Sequence, residues 1–322
     1  MTTSKYRSTL PQLGGEFFMT DGGIETTLIF LEGRELPYFA AFHLLKTPEG
    51  EQALRTYFRT YGELARRFNT GLILETATWR ANSDWGAKLG YGVKTLAERN
   101  RQAVRLLEDV RNEHETDRTP VVISGCIGPR GDGYLPDTAM SEHEAEEYHR
   151  MQVETFADTA ADLVTAITMT YAEEAVGIAR AAKQAHMPVV ISFTVETDGT
   201  LPTGQPLADA IRQVDDATLG YPAYFMINCA HPSHFDHLLH GDEPWAVRIR
   251  GLRANASTMS HAELNEASEL DVGNPIELGR AYAALRMHKL KRLNVMGGCC
   301  GTDHRHVEQI ASACLPTFRP TT

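Results

Sequence analysis

The chain has 322 residues and is acidic, with 31 Lys plus Arg against 42 Asp plus Glu and a net charge of -11. That balance argues against a nucleic-acid or anionic-membrane surface, which would call for a basic patch, and no apolar stretch is long enough to span a membrane. Five cysteines, an odd number, and a Met1–Leu10 segment without an apolar run lead to the expectation of a cytoplasmic protein with reduced thiols and no signal peptide.

Along the chain, apolar β-rich runs alternate with stretches of helical period, the pattern of repeated β-α units around a parallel sheet. Strands are expected at Phe17–Thr20, Leu72–Thr78, Val121–Cys126, Leu163–Met169, Val189–Val195, Tyr224–Cys229, Ala246–Leu252 and Leu293–Met296. Between the first two, Thr47-Pro48 reads as an N-cap with proline at the first helical position. Ala53, Leu54, Tyr57, Phe58, Tyr61, Leu64, Ala65 and Phe68 then recur at helical spacing. Leu96, Ala103, Leu107 and Val110 mark a second helix, Ser141 with Glu144 makes a capping box, and Asn274-Pro275 opens another. Eight such units favour the α/β class with a closed (β/α)₈ TIM barrel, an open doubly wound sheet being the alternative. Length permits this, because such barrels run to about 250 residues and more as one domain. A single domain is expected over residues 1–322, with irregular tails at about 1–12 and 315–322 and no internal repeat or linker.

In a barrel the C-terminal strand ends converge on one face, where chemistry sits. Those ends read Asp21-Gly22-Gly23, Thr76-Ala77-Thr78-Trp79, Ser124 to Pro129, Cys229, Arg253-Ala254-Asn255 and Cys299-Cys300. A lone cysteine is most often a packing residue, which is the reading for Cys126 and Cys314. The adjacent pair framed by Gly297, Gly298 and Gly301 is different, because neighbouring thiols suit a metal better than a disulfide. With Cys229 they make three thiolates and an open fourth position, the pattern of a catalytic zinc. His231, His234, His237 and His240 recur every third residue and would fan over half a helix, so a solvated helix surface is expected, with His231 as a candidate outer partner of Cys229. His304 and His306 are assigned to the first turn of the last helix.

The string Gly297-Gly298-Cys299-Cys300-Gly301-Thr302, with Cys229 after Asn228, resembles the zinc signature of the homocysteine S-methyltransferase family. That family includes betaine-homocysteine methyltransferases and the homocysteine domain of methionine synthase, and the likeness runs from about Phe18 to Ala311. It implies zinc on Cys229, Cys299 and Cys300, Asp21 near a substrate amino group, and no catalytic side chain beyond the zinc-activated substrate thiol. A turn aspartate is the competing reading for Asp21. Gly125 to Pro129 resembles the family's Gly-Ser-Ile-Gly-Pro with Cys126 in place of serine. Ile167 stands where the family carries a glutamate that helps hold the amino acid; Glu25 and Glu75 also depart from the pattern and are candidates to stand in for it. Asn255 is a further substrate-binding candidate, and Trp79 could face the cation of a methyl donor or simply be core.

The resulting expectation is a zinc-dependent S-methyltransferase moving a methyl group from a sulfonium or quaternary ammonium donor to a small thiol, homocysteine to give methionine being the first choice. Zinc keeps the acceptor sulfur deprotonated and the donor leaves as a neutral sulfide or amine, so no general base is needed. The alternatives are a diverged zinc-binding barrel that methylates another small thiol, or one that binds a thiol or a partner without turnover. A barrel metallohydrolase ranks lower, because the first strand lacks a His-x-His. Homo-oligomerisation stays open.

Overall fold

Alternation along each strand sorts the side chains into two apolar sets. In the computed structural model, which describes residues 4–135, 139–241, 243–267 and 269–318, eight parallel strands close into a barrel in sequence order. They are β1 Phe18–Met19, β2 Gly71–Glu75, β3 Val121–Ile127, β4 Leu163–Met169, β5 Val189–Thr194, β6 Tyr224–Asn228, β7 Ile249–Ala254 and β8 Val295–Gly298. Ile73, Val122, Val190 and Tyr224 join Phe18 and Val295 inside the barrel. Leu72, Ile123, Ile191 and Phe225 belong to the larger cluster beneath the helices. Both faces are apolar, as a parallel sheet buried on two sides requires.

The helices are α1 Ile24–Thr26, α2 Pro48–Phe68, α3 Ser83–Lys88, α4 Val93–His114, α5 Glu142–Ala157, α6 Ala172–Gln184, α7 Leu207–Thr218, α8 His261–Glu266, α9 Pro275–His288 and α10 His304–Cys314. The expected starts hold. Thr47 Oγ1 accepts from Gly50 N at 3.1 Å, Ser141 and Glu144 form a reciprocal capping box, and Asn274 accepts from Ile276 N and Glu277 N. Among the described residues no helix is long and apolar enough to cross a membrane.

Three expectations are corrected. Ala246–Arg248 form a 3₁₀ turn, so β7 begins later than its apolar run. β8 lies two residues beyond Leu293–Met296, because Asn294 is tied by its side chain to Gln12 O and Glu16 O, while Gly297 and Gly298 continue the ladder opposite Arg253 and Ala254. The histidine tract is no helix surface: it folds as 3₁₀ turns Pro232–His234 and Asp236–Leu238, with His234 buried and its Nε2 donating to Thr258 O at 2.9 Å.

The described part of the expected N-terminal tail, residues 4–12, is ordered by specific contacts at the barrel's N-terminal face. Leu10 and Tyr6 pack on the interior cluster, Tyr6 N donates to Asp162 Oδ1 at 2.7 Å, and Arg7 donates to the carbonyls of Ala157, Thr159 and Ala161. Asp162, fully buried, also accepts from Ile123 N and pairs with Arg111 at 2.9 Å. Toward the opposite face the inward positions turn polar: Ser124 Oγ lies 2.7 Å from Thr165 Oγ1, and Ser192 Oγ donates to Asn228 Oδ1 at 2.6 Å. This layer is the floor on which the site is built.

Candidate active site

A strand that ends in ordinary extended backbone would carry Cys229 onward along β6. Instead Cys229 takes φ 52°, left-handed for a residue with a Cβ, a conformation costing about 1–2 kcal/mol. Its carbonyl is held from two sides, by His261 Nε2 at 2.6 Å and Asn255 Nδ2 at 3.1 Å, and His261 Nδ1 faces Glu196 Oε1 at 2.9 Å. The turn aims the side chain at the end of β8. There Cys299 N donates to Ala254 O, Ala256 N donates to Cys300 O, and Thr302 caps the turn through Cys299 O. Gly298 is required by close approach, since a Cβ there would lie 2.0 Å from Thr302 Oγ1, and Gly301 by its φ of 77°.

The three sulfurs of Cys229, Cys299 and Cys300 lie within 4.8 Å of one another, with Cys229 and Cys300 4.0 Å apart. Two thiolates at about 2.3 Å from a tetrahedral zinc stand roughly 3.8 Å apart, so the donor set and its spacing fit such an ion. Hydrogen bonds from Cys229, then from Cys300, hold the Cys299 thiol well below its usual range, with Arg253 adding to the effect. Cys126 lines the same cavity but is outside the cluster, and burial, with Glu75 nearby, pushes its thiol up. Among the described residues the group with ligand spacing is this set of three thiols.

The sulfurs border a cavity of about 270 Å³ at the C-terminal face, walled by apolar groups such as Ile24, Phe30, Ile167 and Leu264. Tyr134 closes over the cluster, its hydroxyl 3.6 Å from Cys300 Sγ and its ring stacked on His261 at 4.0 Å. Arg80, inserted between the faces of Trp79 and Trp85 at 3.9 Å from each, donates to Gly131 O at 2.9 Å and so ties down the loop that carries Tyr134.

The expected substrate residues separate into groups. Glu25 and Glu75 line the cavity, and burial raises each carboxyl to about 7. Asp21 lines it too, but its Oδ1 lies 2.6 Å from Arg253 Nη2 and its Oδ2 accepts from Tyr57 at 3.0 Å. Burial works against that carboxylate and Arg253 opposes it, so Asp21 is already paired and is not a free site for an ammonium. Trp79 borders the cavity with one face covered by Arg80, which leaves less of its ring for a donor cation. Asn255 is corrected from substrate contact to support, being 1% exposed with its amide on Cys229 O. His231 is not the outer partner: it caps Ser233, and burial lowers its imidazole to about 4.

Arg253, Tyr134 and His261 are the residues sequence reasoning passed over. Arg253 had a signal, a charge two positions after Gly251 in an apolar strand. Tyr134 lies in an irregular stretch with no motif, and His261 opens α8 behind a Ser260/Glu263 capping box, which marks a helix start but not the histidine's reach to Cys229. At the end of β4, Thr168 takes φ 65° and is held by Asn228, and the ladder to β5 shifts register there. Ile167 precedes it and presents an apolar wall.

A sequence profile of the homocysteine S-methyltransferase family matches residues 18–314. Homocysteine S-methyltransferase YbgG of Bacillus subtilis (strain 168) is 27% identical over 216 residues, 62% of this chain and 64% of that protein. Methionine synthase of Mycobacterium tuberculosis is 30% identical over 140 residues, 42% of this chain and 11% of that enzyme. These alignments therefore span less than two thirds of either relative's length. In structure, the Escherichia coli homocysteine methyltransferase MmuM superposes in its metallated form with TM-score 0.70 at 19% identity, covering 95% of this chain and 98% of that one. Its oxidised form gives 0.69 at 20% identity, covering 92% and 96%. The shared fold is the barrel, and with the profile spanning nearly all of it, this chain belongs to the homocysteine S-methyltransferase family.

Proposed function

We propose that this chain transfers a methyl group from a sulfonium or quaternary ammonium donor to a small thiol, with homocysteine as acceptor and methionine as product. The observation that carries this reading is the convergence of three thiols from the ends of β6 and β8 on the edge of one apolar cavity. Cys229, Cys299 and Cys300 would hold a zinc ion, whose chemistry when bound is to keep an acceptor thiol deprotonated at neutral pH.

The chain's own residues then position and enclose the reaction. The αL turn at Cys229, fixed through His261 and Asn255, presets one ligand. Ile24, Ile167 and Leu264 keep water away from the reacting sulfur, and Tyr134 limits approach from above. In the transfer, the acceptor sulfur forms a bond to the methyl carbon as the carbon–sulfur or carbon–nitrogen bond of the donor breaks, and that electron pair leaves on a neutral sulfide or amine. No proton moves in that step, so the side chains around the sulfurs need only bind, orient and enclose.

The test is a matrix of sulfonium and betaine donors against small thiols with zinc-loaded, reduced protein, read by mass spectrometry of the methylated thiol. Methionine formation from homocysteine is the expected result. Absence of transfer for every pair, with metal bound and the fold intact, would refute the activity and leave thiol binding without turnover.

A further inference from the structure

β7 places Arg253 where the pleat turns inward, one layer above Gly251, and carries its guanidinium into the cavity floor. Nε donates to Gly298 O at 3.0 Å, Nη2 donates to Gly22 O at 3.1 Å, and Asp21 Oδ1 lies 2.6 Å from Nη2. Nη1 donates to no described residue and is not sealed from the cavity. One edge of a rigid five-donor fork thus anchors the group, and the other is left for a ligand.

Glu75 is the inward residue at the end of β2, separated from β7 by β1 and β8. It is 5% exposed and borders the cavity, and its Oε2 is buried with no partner. Among the described residues Arg253 makes an ion pair within 4.0 Å to Asp21 alone, so a gap separates it from Glu75. A buried carboxylate with one oxygen that no described residue satisfies and a guanidinium edge with no described partner, in one cavity, match the two opposite charges that an amino acid carries on a single carbon.

We propose that Arg253 and Glu75 form the amino-acid clamp of this site, Arg253 taking the acceptor's carboxylate and Glu75 its ammonium, so that the acceptors are zwitterionic thiols. The inference rests on the thiol-methylation reading for the place of the sulfur. Arg253 Nε sits on Gly298 O, one residue before Cys299, and Arg253 and Cys299 line the same cavity, so the guanidinium and the sulfur site are neighbours. Ile167 leaves the β4 side without a charge, and Asp21 is engaged by Arg253, so neither competes for the ammonium.

The experiment measures binding by calorimetry, and methyl transfer in parallel, for L-homocysteine, 4-mercaptobutanoate and 3-aminopropane-1-thiol. The second ligand lacks the ammonium and the third lacks the carboxylate. The wild type is expected to bind homocysteine about 10- to 100-fold more tightly than either analogue, the loss of one charged hydrogen bond. Glu75→Gln should abolish the preference over 4-mercaptobutanoate while leaving that analogue's affinity unchanged. Arg253→Gln should abolish the preference over 3-aminopropane-1-thiol, with Arg253→Lys restoring part of it. Should the Arg253 variants fail to fold, Glu75→Gln decides alone, because retained ammonium preference overturns the clamp. The clamp is equally overturned if Glu25→Gln removes the preference and Glu75→Gln does not, or if the wild type binds all three alike. Zwitterion-selective binding with no methyl transfer from any donor would instead refute the activity and leave the clamp standing.

Discussion

The left-handed backbone at Cys229 makes metal affinity depend on residues that would touch no metal. His261 Nε2 and Asn255 Nδ2 are the two donors to the Cys229 carbonyl, at 2.6 and 3.1 Å, in a place where both partners are buried. Removing one leaves the carbonyl satisfied by the other, at a cost of about 0.5–1.5 kcal/mol. His261→Phe keeps a ring against Tyr134 while removing the Nε2 donor together with the Nδ1 contact to Glu196, so it and Asn255→Ala should each weaken zinc binding roughly 2- to 15-fold. Removing both orphans the carbonyl and frees Cys229 to leave a conformation that costs about 1–2 kcal/mol, so the double variant should exceed the sum and lose roughly two orders of magnitude. Competition with a chromogenic zinc chelator on reduced protein measures this, with thermal melting alongside. A double variant that stays folded and binds zinc as the wild type does would refute the reasoning, as would losses in melting temperature with no change in zinc affinity.

Cys229→Ala, Cys299→Ala and Cys300→Ala are each expected to lose stoichiometric zinc, and Cys126→Ala to retain it, by elemental analysis of reduced protein; metal loss in the last with retention in the first would remove the ligand assignment. Because burial raises Glu75 to about 7 from 4.5, the fold favours its neutral form, so that its contribution to stability is present below about pH 4.5 and is lost as pH rises through 7, by about 3 kcal/mol at most. Glu75→Gln should therefore flatten the wild-type decline in urea midpoint between those pH values, and parallel curves would contradict it. Asp162→Asn leaves Arg111 without its partner beneath the barrel and weakens the tie to Tyr6, so a loss of about 3–5 kcal/mol in denaturant unfolding is expected.

The barrel was legible because its strands are apolar on both faces and its helices carry explicit starts, such as Thr47-Pro48 and the Ser141/Glu144 box. Strand limits were less so. Hydrophobicity stops at Met296, whereas the ladder runs on through two glycines whose lack of a side chain permits close packing against Thr20 and Thr302. The cysteine cluster was readable from glycine-framed thiols at strand ends. Its support was not, because the αL turn at Cys229 has no glycine or asparagine to announce it and is held by His261, a residue 32 positions later. The histidine tract misled for a related reason: periodicity of three also fits successive 3₁₀ turns, and Pro232 and the Thr258 carbonyl decide between them.

Charge balance explains why Arg253 and Ile167 belong together. Three thiolates around a dication carry a net charge of about −1, and an acceptor thiolate makes it about −2, in a cavity that already holds Asp21, Glu25 and Glu75. Burial answers by pushing both glutamates up to about 7, and Arg253 answers by pairing with Asp21. A further carboxylate at position 167 would add one more like charge to walls that also carry Asp132, Glu269 and Asp271, and among the described lining residues the second cation, Arg80, is committed to Gly131 O between two indole rings. The apolar side chain there is thus the companion of a relocated charge: once Arg253 engages Asp21 and offers its free edge to a carboxylate, the remaining anionic contact is best made by Glu75, where the strand pleat already points inward and no described residue donates to Oε2.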